Sequence, residues 1–153
     1  MATVDLTAIV RQLYDAFNAK DVKRIMALAQ PDARTTNVPF GAKASYGEDA
    51  ERWMKAFPDG RCEVTNIIAQ GDCVIAEFTG RGTHTGPLQG PTGEIAATGR
   101  KAELQCIEVF RFRGGKISES KLYFDTATLM SQLGLGMGAT AQGRPATAPP
   151  PRH

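Results

Sequence analysis

Residues 104 to 125, LQCIEVFRFRGGKISESKLYFD, constrain the fold more than any other stretch of this 153-residue chain. Leu104, Cys106, Glu108, Phe110 and Phe112 fall at every second position, so a β-strand sets them all on one face. Gly114-Gly115 follows, and glycine reaches the positive φ angles that a two-residue hairpin turn demands. The second arm ends at Asp125, just before a helical stretch. A hairpin is predicted, with Glu108 in a row of side chains that point inward. Burying an unpaired carboxylate is costly, so Glu108 is either in an ion pair, for example with Arg111 or Arg100, or has a raised pKa.

The rest of the chain supplies layers to pack around that hairpin. Leu6, Ile9, Val10, Leu13 and Phe17 repeat at helical spacing, which predicts a helix from Thr3 to Ala19 with Thr3 as its cap. Tyr14 lies at the edge of this stripe, where its hydroxyl either enters a pocket or simply packs. Asp21 caps a second helix that turns Val22, Ile25 and Leu28 inward and is ended by Pro31. Residues 33 to 38 form a short strand; its Asn37 either lines a cavity or faces solvent at a sheet edge. A third helix, Gly47 to Phe57, presents Ala50, Trp53, Met54 and Phe57 on one face.

Strands then take over. Arg61 to Gln70 and Cys73 to Thr85 are joined by Gly71-Asp72; the parity of Val74, Ala76 and Phe78 continues to Gly80, Gly82 and His84. Residues 86 to 99 are a Gly/Pro-rich excursion, too long for a simple hairpin and suited to a rim or lid. After the 104–125 hairpin comes a short helix, Thr126 to Leu133. Residues 135 to 153 contain no acid and almost no large apolar side chain, which predicts a disordered tail behind a domain spanning 1 to 134. Helices followed by strands argue for an α+β fold: a cone-shaped, curved antiparallel sheet wrapped around three N-terminal helices, with a central hydrophobic pocket.

Composition narrows the partners. A net charge of +2, without a basic run, gives no reason to expect nucleic acid. No stretch approaches a membrane-spanning length, and the N-terminus lacks a signal-peptide pattern. Cys62, Cys73 and Cys106 have neither disulfide nor zinc spacing, so free thiols, no metal and a cytoplasmic setting are expected. One sheet face stays uncovered by helices. Ile107, Val109 and Ile67 on it would be buried by a second copy, which predicts a homodimer.

The motifs Gly82-Thr83-His84-Thr85-Gly86, Thr98-Gly99-Arg100, Glu108-Val109-Phe110-Arg111, Gly115-Lys116-Ile117, Tyr123-Phe124-Asp125 and Gln132-Leu133-Gly134 occur in that order. With the opening LYDAFNAKDVKRIMALAQPDA, this stretch resembles the SnoaL-like polyketide cyclase (ester cyclase) group of the nuclear transport factor two and ketosteroid isomerase superfamily. The resemblance implies a cofactor-free reaction on a small hydrophobic carbonyl compound, with intramolecular aldol ring closure. It implies Asp125 as general acid/base, a protonated Glu108 as hydrogen-bond donor and His84 as a second donor. Asn37, Trp53, Tyr14, Tyr123 and Arg111 would bind the substrate. Two features depart from the pattern. Glu108 stands where these cyclases carry an aspartate, and strict alternation puts Asp125 opposite Leu122 and Phe124, where it would equally well cap the following helix. Two other readings remain: an epoxide hydrolase-like site using Glu108, Arg111 and Asp125, and a non-catalytic ligand-binding or dimerisation module.

Overall fold

The computed structural model describes residues 5–135. Helix α1 (Leu6–Asn18) begins where the Asp5 carboxylate accepts hydrogen bonds from the amides of Thr7 at 3.1 Å and Ala8 at 3.3 Å. Thr3, the expected cap, lies outside the described residues, as do all but the first residue of the expected tail. Helix α2 (Val22–Ala27) stops before Pro31, which sits instead in strand β1 (Ala29–Asn37). Proline cannot donate to a sheet ladder, and the β1 register is broken between Ala29 and Arg34, around it. After β2 (Ala42–Ala44), helix α3 (Tyr46–Ala56) opens on a reciprocal capping box: Ser45 Oγ accepts from the Glu48 amide at 3.2 Å and Glu48 accepts from the Ser45 amide at 3.4 Å. That box locks the helical turn that aims Tyr46 and Asp49.

Strands β3 (Arg61–Gln70), β4 (Cys73–Thr83), β7 (Lys101–Arg113) and β8 (Lys116–Tyr123) form the predicted meander. The six-stranded sheet runs β2-β1-β8-β7-β4-β3 and is antiparallel at every junction except β1 against β8, which is parallel. The fold is thus the predicted α+β arrangement with one junction reversed, because β1 enters from a helix rather than from a hairpin. Gly114 and Gly115 take φ values of 60° and 78° in the β7–β8 turn, as the hairpin requires.

The parity read from the sequence holds along β7. Ala102, Leu104, Cys106, Glu108, Phe110 and Phe112 are all buried. On β4, Val74, Ala76 and Phe78 are buried too, and Gly82 leaves room for Phe57, whose Cβ would lie 2.9 Å from any added methyl. Strand β3 departs from simple alternation. A bulge between Val64 and Asn66 shifts its register, so Ile67 turns toward the core and Ile68 takes the outer face, 57% exposed. The 86–99 excursion packs against the core. It forms a small sheet of β5 (Leu88–Gly90) and β6 (Gly93–Ile95) whose Leu88 and Ile95 are buried in the core. Among the described residues no helix is long and apolar enough to cross a membrane.

Helix α4 (Thr126–Gln132) lays Leu129 and Met130 onto the sheet. Leu135, beyond the expected domain end, is also buried, with its amide bonded to the Met130 carbonyl at 2.9 Å. The helix starts on Asp125, whose carboxylate accepts from the Ala127 amide at 3.1 Å and the Thr128 hydroxyl at 2.6 Å. Asp125→Ala is expected to lower stability by about 1 kcal/mol, measured by urea unfolding, and to leave ligand binding in the interior unchanged.

Candidate active site

The concave sheet face and the three helices enclose a cavity of about 140 Å³ with an almost wholly apolar wall. Trp53, Phe57, Phe78, Leu104, Leu122 and Phe124 supply much of that wall. Trp53 is held by aromatic neighbours, with ring centroids of Phe40, Phe57 and Phe124 at 6.3, 6.2 and 6.1 Å. Two carboxyl groups break the apolar surface: Glu108 on β7 and Asp49 on α3.

Glu108 sits on the sheet floor, opposite Ala76 of β4 and Leu122 of β8. It meets neither Arg100 nor Arg111. The Tyr14 hydroxyl donates to its Oε1 at 2.8 Å, and Ser120 Oγ lies 2.9 Å from its Oε2. Ser120 Oγ is also 3.0 Å from Thr35 Oγ1 and accepts from the Tyr46 hydroxyl at 2.5 Å. Burial pushes the Glu108 pKa above the ordinary carboxyl value, and the two hydroxyls only partly oppose it. Tyr14 and Ser120 both donate to the Glu108 carboxyl, and Tyr46 donates in turn to Ser120. Burial and the neighbouring Glu108 hold the Tyr14 phenol well above its usual pKa, so it stays protonated.

Asp49 was not singled out by the sequence reading. It is partly exposed toward the cavity yet closely surrounded by protein. Burial first, then the Glu108 charge, raises its pKa from 3.8 to about 7, while Arg52 and the Trp53 side chain pull the other way. A signal existed. Tyr46, Asp49, Ala50 and Trp53 recur at helical spacing, and all of them line the cavity. Tyr46 and Ser120 were missed for a different reason: their roles depend on what they meet across the fold.

Tyr14 and Trp53 reach the cavity. Asp125 is exposed at the α4 cap, with its pKa lowered by the Thr128 hydroxyl, so the expected base stands outside the pocket. Tyr123 is 42% exposed on the outer sheet face, because Leu122 and Phe124 take the inner one. Arg111 is also outside, 3.7 Å from Asp72 across an exposed ion pair. Glu108, Arg111 and Asp125 are therefore not brought together, which removes the geometry of the epoxide hydrolase-like reading. Asn37 is buried but closes a turn, accepting from the Phe40 amide at 3.0 Å. His84 is fully buried away from the cavity wall; its Nδ1 accepts from the Thr98 amide at 3.2 Å and lies 2.9 Å from Thr98 Oγ1. It pins the 98–100 segment to the end of β4, and burial lowers its pKa.

The SnoaL-like polyketide cyclase family matches residues 7–133. IdmH from Streptomyces antibioticus, provisionally named a polyketide cyclase, is 27% identical, with a TM-score of 0.70 over 86% of this chain and 99% of its own. AclR from Streptomyces galilaeus, provisionally named a hydroxylase, is 26% identical, with a TM-score of 0.71 over 87% of this chain and 83% of its own. A protein from Jannaschia sp. CCS1, provisionally named a SnoaL-like polyketide cyclase, shares the fold at 17% identity, with a TM-score of 0.73 over 87% of this chain and 95% of its own. No curated protein matches the chain.

The Asp49 shift has a stability consequence. Between about pH 4 and pH 7 the unfolded chain has lost the Asp49 proton while the folded chain keeps it, so stability falls as pH rises through that window. Asp49→Asn removes this loss. Urea melts should find the variant and the wild type nearly equal at pH 4, and the variant more stable by about 2–4 kcal/mol at pH 8.

Proposed function

Because the chain belongs to the SnoaL-like polyketide cyclase family, we propose that it carries out cofactor-free acid/base chemistry on a small hydrophobic carbonyl compound, closing a ring by intramolecular aldol attack. The observation that carries this reading is the Glu108 carboxyl, its pKa raised by burial, bonded to Tyr14 at 2.8 Å on the wall of an apolar cavity. Removing a proton beside a carbonyl moves negative charge onto the carbonyl oxygen, and that oxygen needs a donor. Glu108 can turn its proton onto the Tyr14 oxygen, freeing the phenol proton for the ligand without changing the spacing between the two groups. In an apolar site such a bond is worth far more than in water. The enolate carbon then attacks a second carbonyl of the same molecule. A carbon–carbon bond forms, the new alkoxide takes the proton back, and no atom is gained or lost.

The Tyr14→Phe substitution is expected to slow exchange of α-protons for deuterium in 1-indanone, followed by NMR in D2O, by about 10²- to 10³-fold. A wild type that binds the ketone without exchanging it would instead favour a non-catalytic binding module.

The partner reading is a homodimer. Ile68, Ile75, Ile107 and Tyr123 are exposed on the helix-free sheet face, and a two-fold partner would bury the same patch on both copies. Ile107→Glu should lower the sedimenting mass from dimer to monomer. The three free thiols support a reducing, cytoplasmic setting.

A further inference from the structure

We propose that Asp49, on the helical wall of the cavity facing Glu108, is the catalytic base that takes the α-proton from a ligand one ring wide. This rests on the proton-transfer reading above and supplies the base that reading lacks, since Asp125 is outside the pocket.

Placement comes first. Asp49 is the one acid in the stripe that α3 turns to the cavity, between Tyr46 and Trp53, and Glu108 is the acid on the opposing sheet. A donor on one wall and a base on the other is what enolisation needs, because the carbonyl oxygen and the α-hydrogen lie on different sides of the reacting carbon. The capping box does not require an acid here. Glu48 already completes the capping box at the helix start, and the nearest cation along the helix, Arg52, pairs with Glu48 at 3.8 Å instead. Asp49 therefore faces the cavity outside any ion pair, although the Arg52 charge still draws its pKa down.

Electrostatics assigns the roles. The titratable and charged groups around the cavity besides Asp49 are Glu108 and Cys106 on β7, Tyr14 on α1, Tyr46 on α3, Cys62 and Arg61 on β3, and Arg81 on β4. Of these, Glu108 acts on Asp49, repelling its charged form whenever Glu108 is itself ionised. Two carboxylates in one apolar space avoid ionising together, so one keeps its proton while the other releases it. Glu108, fully buried among hydroxyls, keeps it. Asp49, less buried than Glu108, releases it near pH 7, where a general base works best.

Size defines the ligand. About 140 Å³ is close to the roughly 150 Å³ void that accepts benzene. The reacting segment is thus one ring or a comparable folded chain. The remainder must leave past Arg61, Cys62, Arg81, Gly82 and Ala102, which also line a wider polar recess outside. In the step itself the α-carbon–hydrogen bond breaks and the proton goes to an Asp49 carboxylate oxygen. The electron pair moves into the carbon–carbon bond as the carbonyl becomes an enolate, held by Tyr14 and Glu108. Neutral Asp49 later returns the proton to the alkoxide.

The test uses the full chain with cyclohexanone, 1-indanone and 2-tetralone, measuring α-deuterium exchange and binding by NMR. Asp49→Asn should cut exchange by about 10²- to 10⁴-fold while binding changes less than about twofold. Asp49→Glu, which keeps a base and guards against a folding artefact, should retain part of the rate. The wild-type rate should fall as pH drops through about 7, and that limb should vanish in Asp49→Asn. Asp125→Asn should exchange as the wild type does. Wild-type exchange rates in Asp49→Asn would overturn the assignment of the base and leave the proton-transfer reading standing. A wild type inert toward all three ketones would overturn both.

Discussion

Everything in the interior is arranged around the cost of placing one carboxyl group, Glu108, in the middle of a sheet face with no cation beside it. A buried acid in that position must find hydrogen-bonding partners or destabilise the fold. Its partners come from every layer: Tyr14 from α1, Ser120 from β8 and, through Ser120, Tyr46 from α3 and Thr35 from β1. The network ties the helices to the sheet at one point. It is also complete, and a complete polar network specifies one arrangement of its members, whereas a broken one would cost more than an apolar core.

The same burial separates the chain's charges into two populations. Outside, Arg81 bridges Glu63 and Glu103, Arg113 meets Asp32 and Arg111 meets Asp72, all well exposed and each worth little to stability. Inside are two carboxyls outside any ion pair, both raised first by desolvation, Asp49 also by the Glu108 charge. The chemistry belongs to the second population. Arg111 joined the first because of its parity on β7: one position from Phe110 or Phe112, it cannot share their face.

Much of this was legible beforehand. Alternation placed Glu108 inward, helical spacing placed Tyr14 and Trp53 on core-facing surfaces, and the same alternation already warned that Tyr123 and Asp125 faced away from Leu122 and Phe124. Asp49 was legible too, but the α3 stripe was read from its apolar members, and an acid in a first helical turn looks like an ordinary favourable dipole contact. The inward turn of Ile67 was not legible, because it follows from a bulge that the local pattern does not announce. The parallel pairing of β1 with β8 was equally hidden, since it joins segments far apart in the chain.

By itself the sequence determined which side chains of β7 share a face, where its hairpin turn falls, and that one acid would be buried. These follow from periodicity and backbone conformation, which are local. Only the tertiary structure decided which buried groups meet. Tyr14 and Glu108 are 94 positions apart, and Asp49 gains its altered proton affinity from a helix closing over a sheet. Desolvation and charge repulsion depend on distance through space, and no spacing along the chain encodes that distance.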